Sequence, residues 1–591
     1  MHGLFKSFAM AAALFVATSF EARAACPAGA TFNRIAFDVT TGSDDLRGDS
    51  SAVATVKLAG GGTQSFRLKS QKQAGWGNNS FHSRWFGLPG AYELPAFGQV
   101  AITLTSHNGL FETDDNWNIQ KLNVTVSKSG GPPNCTVFNL GGNPLVRLTG
   151  SRPTAVFDPF SMVGSPSVAA IDGAVRDVMQ GGGVQGASLA IFRGTRLIYA
   201  RGYTAATLGP PPQIIKPTTY FRQASVSKLI ASLAIMQLVD EGKLTLDTTM
   251  QSVLHLHRPG GGPPKDPRFS KITIRHLLEM DSGLDSTLEV SDTAIAAAVG
   301  KPLPVDVSSL ETYAAGRTLA FAPGDKSQAA YNDSNFDFLA YIVAKLRHAS
   351  SFAAAIRKPL LEPLDIKRIR GARVLRSRQL PGEAVYYPNP YQTAKSVMSP
   401  SQPTVELGYG DENFSLMQGG GGMSAAATDM ARLLAALNLG TGNKAFSPTD
   451  VAQWLGYAYA ALNDKAFSGP NAFGFYGLDA LGPIPPSSSV PPYEGDKGGY
   501  LETSQNAVYF QTGGLGYVIC FNGHTGHDSV WYPSFGAVIA AAASHDWGVI
   551  DLFPKYGMAS FPPARSLPRL VGSQFRSGLP YIEPRRFRAG H

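Results

Sequence analysis

The stretch Ser225-Val226-Ser227-Lys228 opens an apolar run from Leu229 to Val239. Residues i and i+3 share one face of a helix, so the Lys228 ammonium is expected to lie against Ser225 Oγ. A serine hydroxyl attacks poorly on its own and needs a neighbouring group to take its proton. Lys228 can do this if burial lowers its pKa. The spacing therefore favours a nucleophile beside its base, although the tetrapeptide alone also fits a helix start with an exposed lysine.

The composition is that of a globular protein with more than one domain. The chain has 591 residues, of which 43% are hydrophobic and 16% are charged. This length exceeds one ordinary hydrophobic core, so two or more domains are expected. The formal charge of +8 favours contact with anionic surfaces. The sequence lacks a Lys/Arg block interleaved with aromatic residues, so we predict no nucleic-acid partner.

The first residues have the layout of a secretory signal. Lys6 precedes an apolar run from Phe8 to Phe20, and Ala22-Arg23-Ala24 forms a small-x-small cleavage site. The run is shorter than the roughly 20 residues that a membrane span needs. We predict a signal peptide over residues 1–24, a secreted or periplasmic mature chain, and no transmembrane segment in it. A lipid anchor on Cys26 is the alternative.

Residues 25–140 are predicted to form a β-sandwich, because short apolar strands alternate with turn clusters. A disulfide between Cys26 and Cys135 is plausible in an oxidising compartment, and two separate thiols are the alternative. Cys520 is interpreted as a buried small hydrophobe. The predicted strands are Arg34 to Val39, Val53 to Leu58, Val100 to Thr105 and Leu122 to Val126.

Two features of this domain suggest a ligand. Acidic turns at residues 43–45 with Asp49, and at residues 114–116, offer the hard oxygen ligands that calcium prefers. Solvated turns without a metal are the alternative. A sugar-binding face is the second possibility, against the alternative that its aromatic residues belong to the core; these are Trp76, Trp85 and Trp117.

The second domain is predicted over residues 169–550, after a Pro/Gly/Ser-rich linker at 141–168. A helix from Ala169 to Met179 precedes a strand pair within residues 187–200, and further helices follow. Three strands between Tyr500 and Phe521 and a last helix at 535–544 complete the order. This order predicts an α+β fold in which helices cover one antiparallel sheet. Residues 551–591, rich in Pro and Arg, are interpreted as a tail.

From about residue 169 to 547 the chain resembles the serine β-lactamase and penicillin-binding-protein superfamily, closest to its class C and esterase branch. The resemblance depends on five segments that occur in the family's order. They are Val184 to Ala190, Phe221 to Lys228, Ile272 to Leu278 with Asp281-Ser282-Gly283-Leu284, Phe321-Ala322-Pro323-Gly324 before Tyr331 to Phe336, and Gly420 to Ser424 leading into Asp429-Met430-Ala431.

The resemblance implies that Ser225 is the acyl-accepting nucleophile, with Lys228 as its partner and Tyr331 as a second base. The family's usual third residue of the tyrosine motif is asparagine, whereas this chain has Asp333. An extra carboxylate there can pair with Lys228 and keep it charged, which moves more of the basic role onto Tyr331.

The family's third motif has two candidates in this chain. His524-Thr525-Gly526 fits the letters of a variant, whereas Lys497-Gly498-Gly499 fits the architecture, since two strands and a helix follow it. We favour Lys497, with Gly499 allowing the backbone to approach the substrate. The backbone N–H groups of Ser225 and Tyr500 would then form an oxyanion hole.

The leading hypothesis is an exported serine hydrolase that cleaves an ester, an amide or a peptidoglycan-derived peptide through an acyl-enzyme. An esterase or D-amino-acid peptidase is favoured over a dedicated β-lactamase, because Gly498 replaces the hydroxyl residue of the third motif. A peptidoglycan- or penicillin-recognising protein with little turnover is the alternative. We predict no cofactor and no metal, since His255 and His257 lack a third ligand at a recognised spacing.

Overall fold

The computed structural model describes residues 30–58, 62–93, 97–106, 115–157, 160–205, 213–289, 291–387, 392–438, 445–469, 472–483, 493–524 and 528–562. The predicted signal peptide, Cys26 and residues 563–591 lie outside these ranges. None of the helices formed by the described residues has the length and apolar character that a bilayer crossing requires.

The N-terminal part is built mainly of strands, as predicted. Two four-stranded sheets have the orders β4-β1-β6-β7 and β3-β2-β5-β8. Alternate residues of β2, including Ala54 and Val56, are buried between the sheets. The strands are β1 (Thr31–Thr41), β2 (Ser51–Leu58), β3 (Thr63–Lys69), β4 (Phe81–Glu93), β5 (Phe97–Thr105), β6 (Trp117–Lys128), β7 (Gly131–Leu148) and β8 (Thr154–Phe157).

The segment predicted as a linker, residues 141–168, is mostly strand. It contains the end of β7, all of β8, and β9 (Phe160–Gly164). Buried apolar residues such as Leu148 and Phe157 hold it in place. The glycine and proline residues in the β7 part of this segment are compatible with a strand, because β7 is an edge strand and a missing backbone N–H is tolerated there. The chain passes from one domain to the other between β8 and β9, because β9 pairs with the sheet of the second domain.

The second domain contains a seven-stranded sheet with the order β17-β18-β19-β20-β10-β11-β9. The predicted strand pair and the predicted late strands are all in it, joined as antiparallel neighbours. Its remaining strands are β10 (Gly186–Arg193), β11 (Arg196–Ala205), β17 (Ala480–Pro483), β18 (Tyr493–Leu501), β19 (Ser504–Gln511) and β20 (Leu515–Phe521).

Helices cover both faces of this sheet, which confirms the α+β fold. Helices α1 and α11 share a core with Leu189 and Ile191 of β10, whereas α2 and α9 share a larger core with Ala190 and Phe192. The helices are α1 (Ala169–Gly181), α2 (Ser227–Asp240), α3 (Met250–Leu254), α4 (Ile274–Leu278), α5 (Asp292–Val299), α6 (Val307–Ala315), α7 (Asp333–Leu346), α8 (Phe352–Ile356), α9 (Ala427–Ala436), α10 (Pro448–Leu462) and α11 (Asp528–Ser544).

Two small sheets lie outside the main one. A three-stranded sheet has the order β12-β16-β13, and the other is the pair β14-β15. Their strands are β12 (Tyr220–Arg222), β13 (Ile369–Gly371), β14 (Thr393–Lys395), β15 (Thr404–Glu406) and β16 (Met423–Ala426). The sheet that holds β12 matters most for the site, because β12 leads directly into the segment that carries Ser225.

The described start of the predicted tail is packed rather than loose. Phe553 and Met558 are buried in the larger core, and Leu552 N–H donates to Leu197 O at 2.7 Å. Among the cysteines, Cys135 is disulfide-bonded, and Cys520 is a buried free thiol as predicted.

Two acidic residues of the N-terminal turns pair with the chain's own cations, Asp44 with Arg147 and Asp115 with Arg47. Arg47 Nε donates to Asp115 Oδ1 at 3.0 Å, and Lys69 Nζ donates to Gly48 O at 2.9 Å and Ser50 O at 2.7 Å. The Lys69 ammonium thus lies against backbone carbonyls on either side of Asp49 in sequence. Within the described ranges, no group of three or more His, Cys, Asp or Glu side chains is arranged to hold a metal ion.

The three tryptophans do not share a surface. Trp76 and Trp117 are 3% and 0% exposed and pack edge to face in the core of the sandwich. Only Trp85 is exposed, on β4, with the Arg34 guanidinium 5.1 Å from its ring centroid. The alternative given for these residues therefore holds for Trp76 and Trp117, whose rings fill the space between the sheets, so the three do not form a shared sugar-binding face.

Candidate active site

Ser225 lies in a one-turn 3₁₀ helix, Ala224–Val226, between β12 and α2. Ala224 has a φ of 50°, a left-handed conformation that is strained for a residue with a Cβ and is found preferentially at functional sites. Helix α2 begins at Ser227 and is buried along most of its length because it is apolar all round. This fixes Lys228, whose Nζ donates to Ser225 Oγ at 3.0 Å. The contact predicted from the i, i+3 spacing is present.

Lys228 is fully buried, yet it carries a charge. Its ammonium donates to Gly420 O at 2.6 Å and forms a salt bridge with the Asp333 carboxylate. Burial disfavours the charged form, but the negative charge of Asp333 and the Tyr331 hydroxyl outweigh it and raise the pKa of Lys228 above its ordinary value. The condition under which Lys228 could act as the base, a pKa lowered by burial, is therefore not met, because Asp333 lies within contact of the amine.

The glycine segment 419–422 brings a carbonyl onto Lys228. A Cβ at Gly419 would lie 2.0 Å from Phe336 O, so only glycine lets this segment touch the first turn of α7. Gly420 N–H donates to Asp337 Oδ1 at 2.8 Å, and the Gly420 carbonyl accepts a hydrogen bond from the Lys228 ammonium. The glycines quoted for the family resemblance thus position a ligand of the lysine.

The Tyr331 ring lies against two lysines. Its centroid is 4.8 Å from Lys228 Nζ and 5.0 Å from Lys497 Nζ. Phe473 stacks on the ring, with centroids 4.7 Å apart and an interplanar angle of 19°. Gly474 has a φ of 82°, and a Cβ there would lie 2.7 Å from Tyr331 Cε2. Tyr331 is therefore held beside the Ser225–Lys228 pair by a stacked aromatic ring and a glycine turn.

Asp333 is the first residue of α7, whose N-cap is Asn332. The Asn332 side chain accepts a hydrogen bond from Ser334 N–H at 2.9 Å. A carboxylate in the first turn of a helix is stabilised by the helix dipole. The Asp333 side chain is 28% exposed while its partner Lys228 is 0% exposed. The departure from asparagine therefore adds a negative charge directly on the catalytic lysine candidate, as predicted.

Lys497 lies on β18, and its ammonium is 2.5 Å from Asp479 Oδ1. Gly498 N–H donates to the other oxygen of Asp479 at 2.8 Å. Burial opposes the charge of Lys497, but the Asp479 carboxylate outweighs it, and the pKa of Lys497 is raised. Strands β19 and β20 and helix α11 follow β18, which is the architecture that favoured Lys497 over His524. His524 lies after β20, where its ring packs edge-on against Tyr500 at 4.4 Å between centroids.

Gly499 brings β18 against the segment that carries the nucleophile. A Cβ at Gly499 would lie 2.5 Å from Gln223 O and 3.1 Å from Val226 N, so a larger residue would push the strand away. Tyr500 follows, with 48% of its surface exposed at the end of β18. The backbone of β18 is thus close to the Ser225 turn, which is the arrangement that an oxyanion hole needs. The pair of N–H donors itself stays a prediction.

Sequence reasoning missed Arg222 and its surroundings. The Arg222 guanidinium is buried 4.1 Å from the Tyr386 ring centroid, and its Nε is 3.7 Å from Glu383 Oε1. The Arg222 carbonyl accepts hydrogen bonds from Ser504 Oγ at 2.7 Å and Asn506 Nδ2 at 2.8 Å. These contacts hold the residue that precedes the nucleophile turn. The sequence around Arg222 does not indicate its aromatic cage, because the rings that form it, Tyr386, Tyr409 and Phe414, come from distant segments.

Asp479 was also missed, although a signal for it existed. It lies one residue before β17, and Ala480 of β17 pairs with Asp496 of β18. The register of this hairpin therefore places Asp479 beside Lys497. The strand β17 was not predicted, because its sequence Ala480-Leu481-Gly482-Pro483 is short and contains both Gly and Pro.

Residues 171–560 match the family model described as Beta-lactamase. The chain belongs to the beta-lactamase family. It is 26% identical over 364 residues to Esterase EstB of Burkholderia gladioli, an alignment that covers 58% of this chain and 87% of that protein. It is 27% identical over 198 residues to Protein flp of Staphylococcus aureus strain MW2, covering 33% of this chain and 37% of that protein.

A solved structure, the octameric penicillin-binding protein homologue from Pyrococcus abyssi, superposes with a TM-score of 0.45 and 20% sequence identity. The superposition covers 66% of this chain and 81% of that chain. The family predicted from the five segments is confirmed by the match of the family model. Within this family the protein is a hydrolase of the serine β-lactamase and esterase group.

Proposed function

We propose that the protein hydrolyses an ester or a D-amino-acid amide through an acyl-enzyme on Ser225. One observation carries this proposal: Lys228 Nζ lies 3.0 Å from Ser225 Oγ while the same ammonium contacts Asp333 and lies over the Tyr331 ring. A hydroxyl held by a buried cation beside a phenol is an activated nucleophile with a proton acceptor nearby.

The proposed mechanism divides the work between Lys228 and Tyr331. Because Lys228 is held charged, it stabilises the developing Ser225 oxyanion by a charge-assisted hydrogen bond rather than by taking the proton. Tyr331, acting as the phenolate, accepts the proton as Ser225 attacks the carbonyl carbon, and the resulting phenol returns it to the leaving group as the bond to that group breaks. The N–H groups of Ser225 and Tyr500 bind the carbonyl oxygen. Water then releases the acyl group.

Two observations support an ester or D-amino-acid substrate over a β-lactam. Gly498 lacks the hydroxyl that the family's third motif usually presents, and its N–H is engaged by Asp479. The relative with 87% of its length covered is named an esterase. Lys497 supplies a buried cation for a carboxylate or other negative group of the substrate.

We also propose that the protein acts outside the cytoplasm. The layout of residues 1–24 supports this, and so does the disulfide bond of Cys135, because such bonds persist in oxidising compartments. The mass of the mature N-terminus tests it. Cleavage after Ala24 supports export, and an intact Met1 in protein taken from the producing cells contradicts it.

A second candidate is a protein that recognises penicillin or peptidoglycan peptides with little turnover. The Lys228–Asp333 salt bridge favours it, because a lysine that stays charged cannot deprotonate Ser225 or the deacylating water. In this case an acyl-enzyme would form and persist.

Labelling and turnover together test the two candidates. The mature protein is treated with a fluorophosphonate or a labelled penicillin, and the adduct is located by peptide mass spectrometry. Label on Ser225, with hydrolysis of p-nitrophenyl butyrate or D-alanyl p-nitroanilide that is lost in Ser225→Ala, supports the hydrolase. Ser227→Ala is the matched control and should keep the label. Label without turnover supports the binding candidate, and label on another serine contradicts both.

A further inference from the structure

A cavity of about 280 Å³ lies in the helical part of the second domain, and none of the residues assigned to the active site lines it. Its polar walls come from α4, from the segment after it, and from the end of α10. These walls are formed by Arg275, His276, Glu279, Asp281, Lys326 and Asp464. The cavity is therefore a concentration of charged groups that the proposed chemistry at Ser225 does not use.

Negative charge exceeds positive charge in this cavity. The carboxylates of Glu279, Asp281 and Asp464 face the cations Arg275 and Lys326. Arg275 Nη1 lies 3.6 Å from Glu279 Oε1, and Lys326 Nζ lies 2.9 Å from Asp464 Oδ2. Each cation thus has a direct carboxylate partner, and Asp281 is left with only longer-range attraction to them.

Asp281 is the unusual member of the group. Its side chain lines the cavity, yet the residue is 1% exposed, and its Oδ1 accepts no hydrogen bond from any residue that the structure describes. Glu279, by contrast, accepts a hydrogen bond from the Tyr476 hydroxyl at 3.0 Å. A buried carboxylate oxygen without a donor costs free energy, so an orphan of this kind points to a missing partner.

The protonation of Asp281 agrees with this geometry. Burial and the nearby Glu279 carboxylate raise the pKa of Asp281 to about 7, although Lys326 and Arg275 oppose the change. Burial also raises the pKa of Glu279 and lowers the pKa of His276. Above pH 7 the cavity therefore holds an excess of carboxylate charge beside a neutral imidazole.

We propose that this cavity binds a small molecule that carries a protonated amine, whose N–H groups donate to Asp281. A positive ligand balances the excess carboxylate, whereas an anion would be repelled. A metal ion is disfavoured, because the described residues contain no group of three or more His, Cys, Asp or Glu side chains arranged to hold one. Ala460 and Ala461 provide an apolar wall, so a short alkyl chain on the amine suits the site.

Calorimetry on the full-length protein tests the proposal. It measures the binding of n-butylammonium and compares it with that of n-butanol, a neutral probe of similar shape. We expect n-butylammonium to bind at pH 8 and n-butanol not to bind. Asp281→Asn should weaken the binding by about tenfold to a hundredfold, the value of a charge-assisted hydrogen bond. The matched control is Asp292→Asn, which removes another carboxyl whose pKa burial raises, outside this cavity. Asp292→Asn should bind n-butylammonium with the same affinity as the wild type.

The pH dependence gives a second measurement that needs no variant. Asp281 ionises as the pH rises through about 7, so binding should strengthen between pH 6 and pH 8. In Asp281→Asn this dependence should disappear, whereas any contribution from His276 or Glu279 would remain. Equal binding of n-butanol, unchanged affinity in Asp281→Asn, or no binding by the wild type at pH 8 would each overturn the proposal. Stabilisation by calcium but not by the amine would also overturn it.

Discussion

Replacement of Asp333 by asparagine tests the electrostatic basis of the proposed mechanism. The substitution keeps the shape of the side chain and restores the residue that the resemblance leads one to expect. It removes the carboxylate that contacts Lys228, whose side chain is 0% exposed. Burial then acts on Lys228 with one less opposing charge, so the pKa of Lys228 should fall.

The size of the effect follows from the contact. Two unit charges about 4 Å apart attract each other by about 4 kcal/mol in a medium with an effective dielectric constant near 20, which corresponds to about 3 in pKa. The Asp333 side chain is 28% exposed, so solvent screens part of this attraction. We expect a fall of about 1 to 2 in the pKa of Lys228. Because this pKa starts above its ordinary value, only a small fraction of the Lys228 amine becomes neutral, and it does so at the alkaline end of the pH range.

The assay is the pH dependence of kcat/KM for an uncharged ester such as p-nitrophenyl acetate. In the wild type Lys228 stays charged across the working range, because its pKa is raised above the ordinary value, so it contributes no inflection there. In Asp333→Asn an additional ionisation should appear on the alkaline side, with kcat/KM rising as the amine loses its proton. The faster acylation at high pH would come from Lys228 acting as the base.

Asp337→Asn is the matched control, since it removes a carboxylate one turn later on the same helix. Asp337 contacts Gly420 N–H, and the substituted amide oxygen can still accept that bond. Its pH profile should match the wild type. If Asp333→Asn and the wild type give the same profile, the carboxylate does not control the charge of Lys228, and the division of roles between Lys228 and Tyr331 is wrong.

Three further substitutions test other parts of the site. Lys497→Ala should lower kcat/KM for a substrate with a carboxylate by about tenfold to a hundredfold, the value of one charge-assisted hydrogen bond. His524→Ala should change kcat/KM little. Equal losses in the two variants would contradict the choice of Lys497 over His524 as the third-motif residue. Gly499→Ala should reduce kcat by at least about a hundredfold, because the added Cβ moves β18 away from the nucleophile turn. The control Gly498→Ala should stay active, since the nearest neighbour of its Cβ would be 3.4 Å away. If both variants are active, the proposed oxyanion hole is wrong. Arg222→Met should lower the free energy of unfolding in urea by about 3–5 kcal/mol, since it leaves a buried carboxylate without its partner; a change below about 1 kcal/mol would show that the cage does not support the turn.

The tetrapeptide predicted the contact between Ser225 and Lys228 but not the charge of the lysine, for which the only indication was Asp333 in a distant segment. The contact depends on helical spacing, which is local, and the i, i+3 rule predicts it. The charge of Lys228 depends on how closely Asp333 approaches and on the Gly420 carbonyl, both of which come from other segments. A pKa that results from opposing burial and charge effects has no local signal, so its direction could not be read from the tetrapeptide.

The fold shows the same division between local and distant effects. Strands with regular apolar runs, such as β1 and β20, were predicted because their residues pack on a buried face. The end of β7 and all of β8 were interpreted as linker, since glycine and proline normally interrupt strands, and in β7 they are tolerated because it is an edge strand. The sequence left open whether Trp76 and Trp117 belong to the surface or the core, because the identity of an aromatic residue does not show which side of the sheet it faces.

Each of the two buried lysines of the site has its own carboxylate partner. Lys228 and Lys497 both lie within about 5 Å of the Tyr331 ring centroid, and the charge of Lys228 opposes that of Lys497. Two ammonium groups so close in a buried site are costly unless each has its own anion. Asp333 at the start of α7 and Asp479 just before β17 supply these anions. The aspartate at 333 therefore follows from the demand for a second charge partner, because an asparagine there would leave two buried cations to share the Asp479 carboxylate.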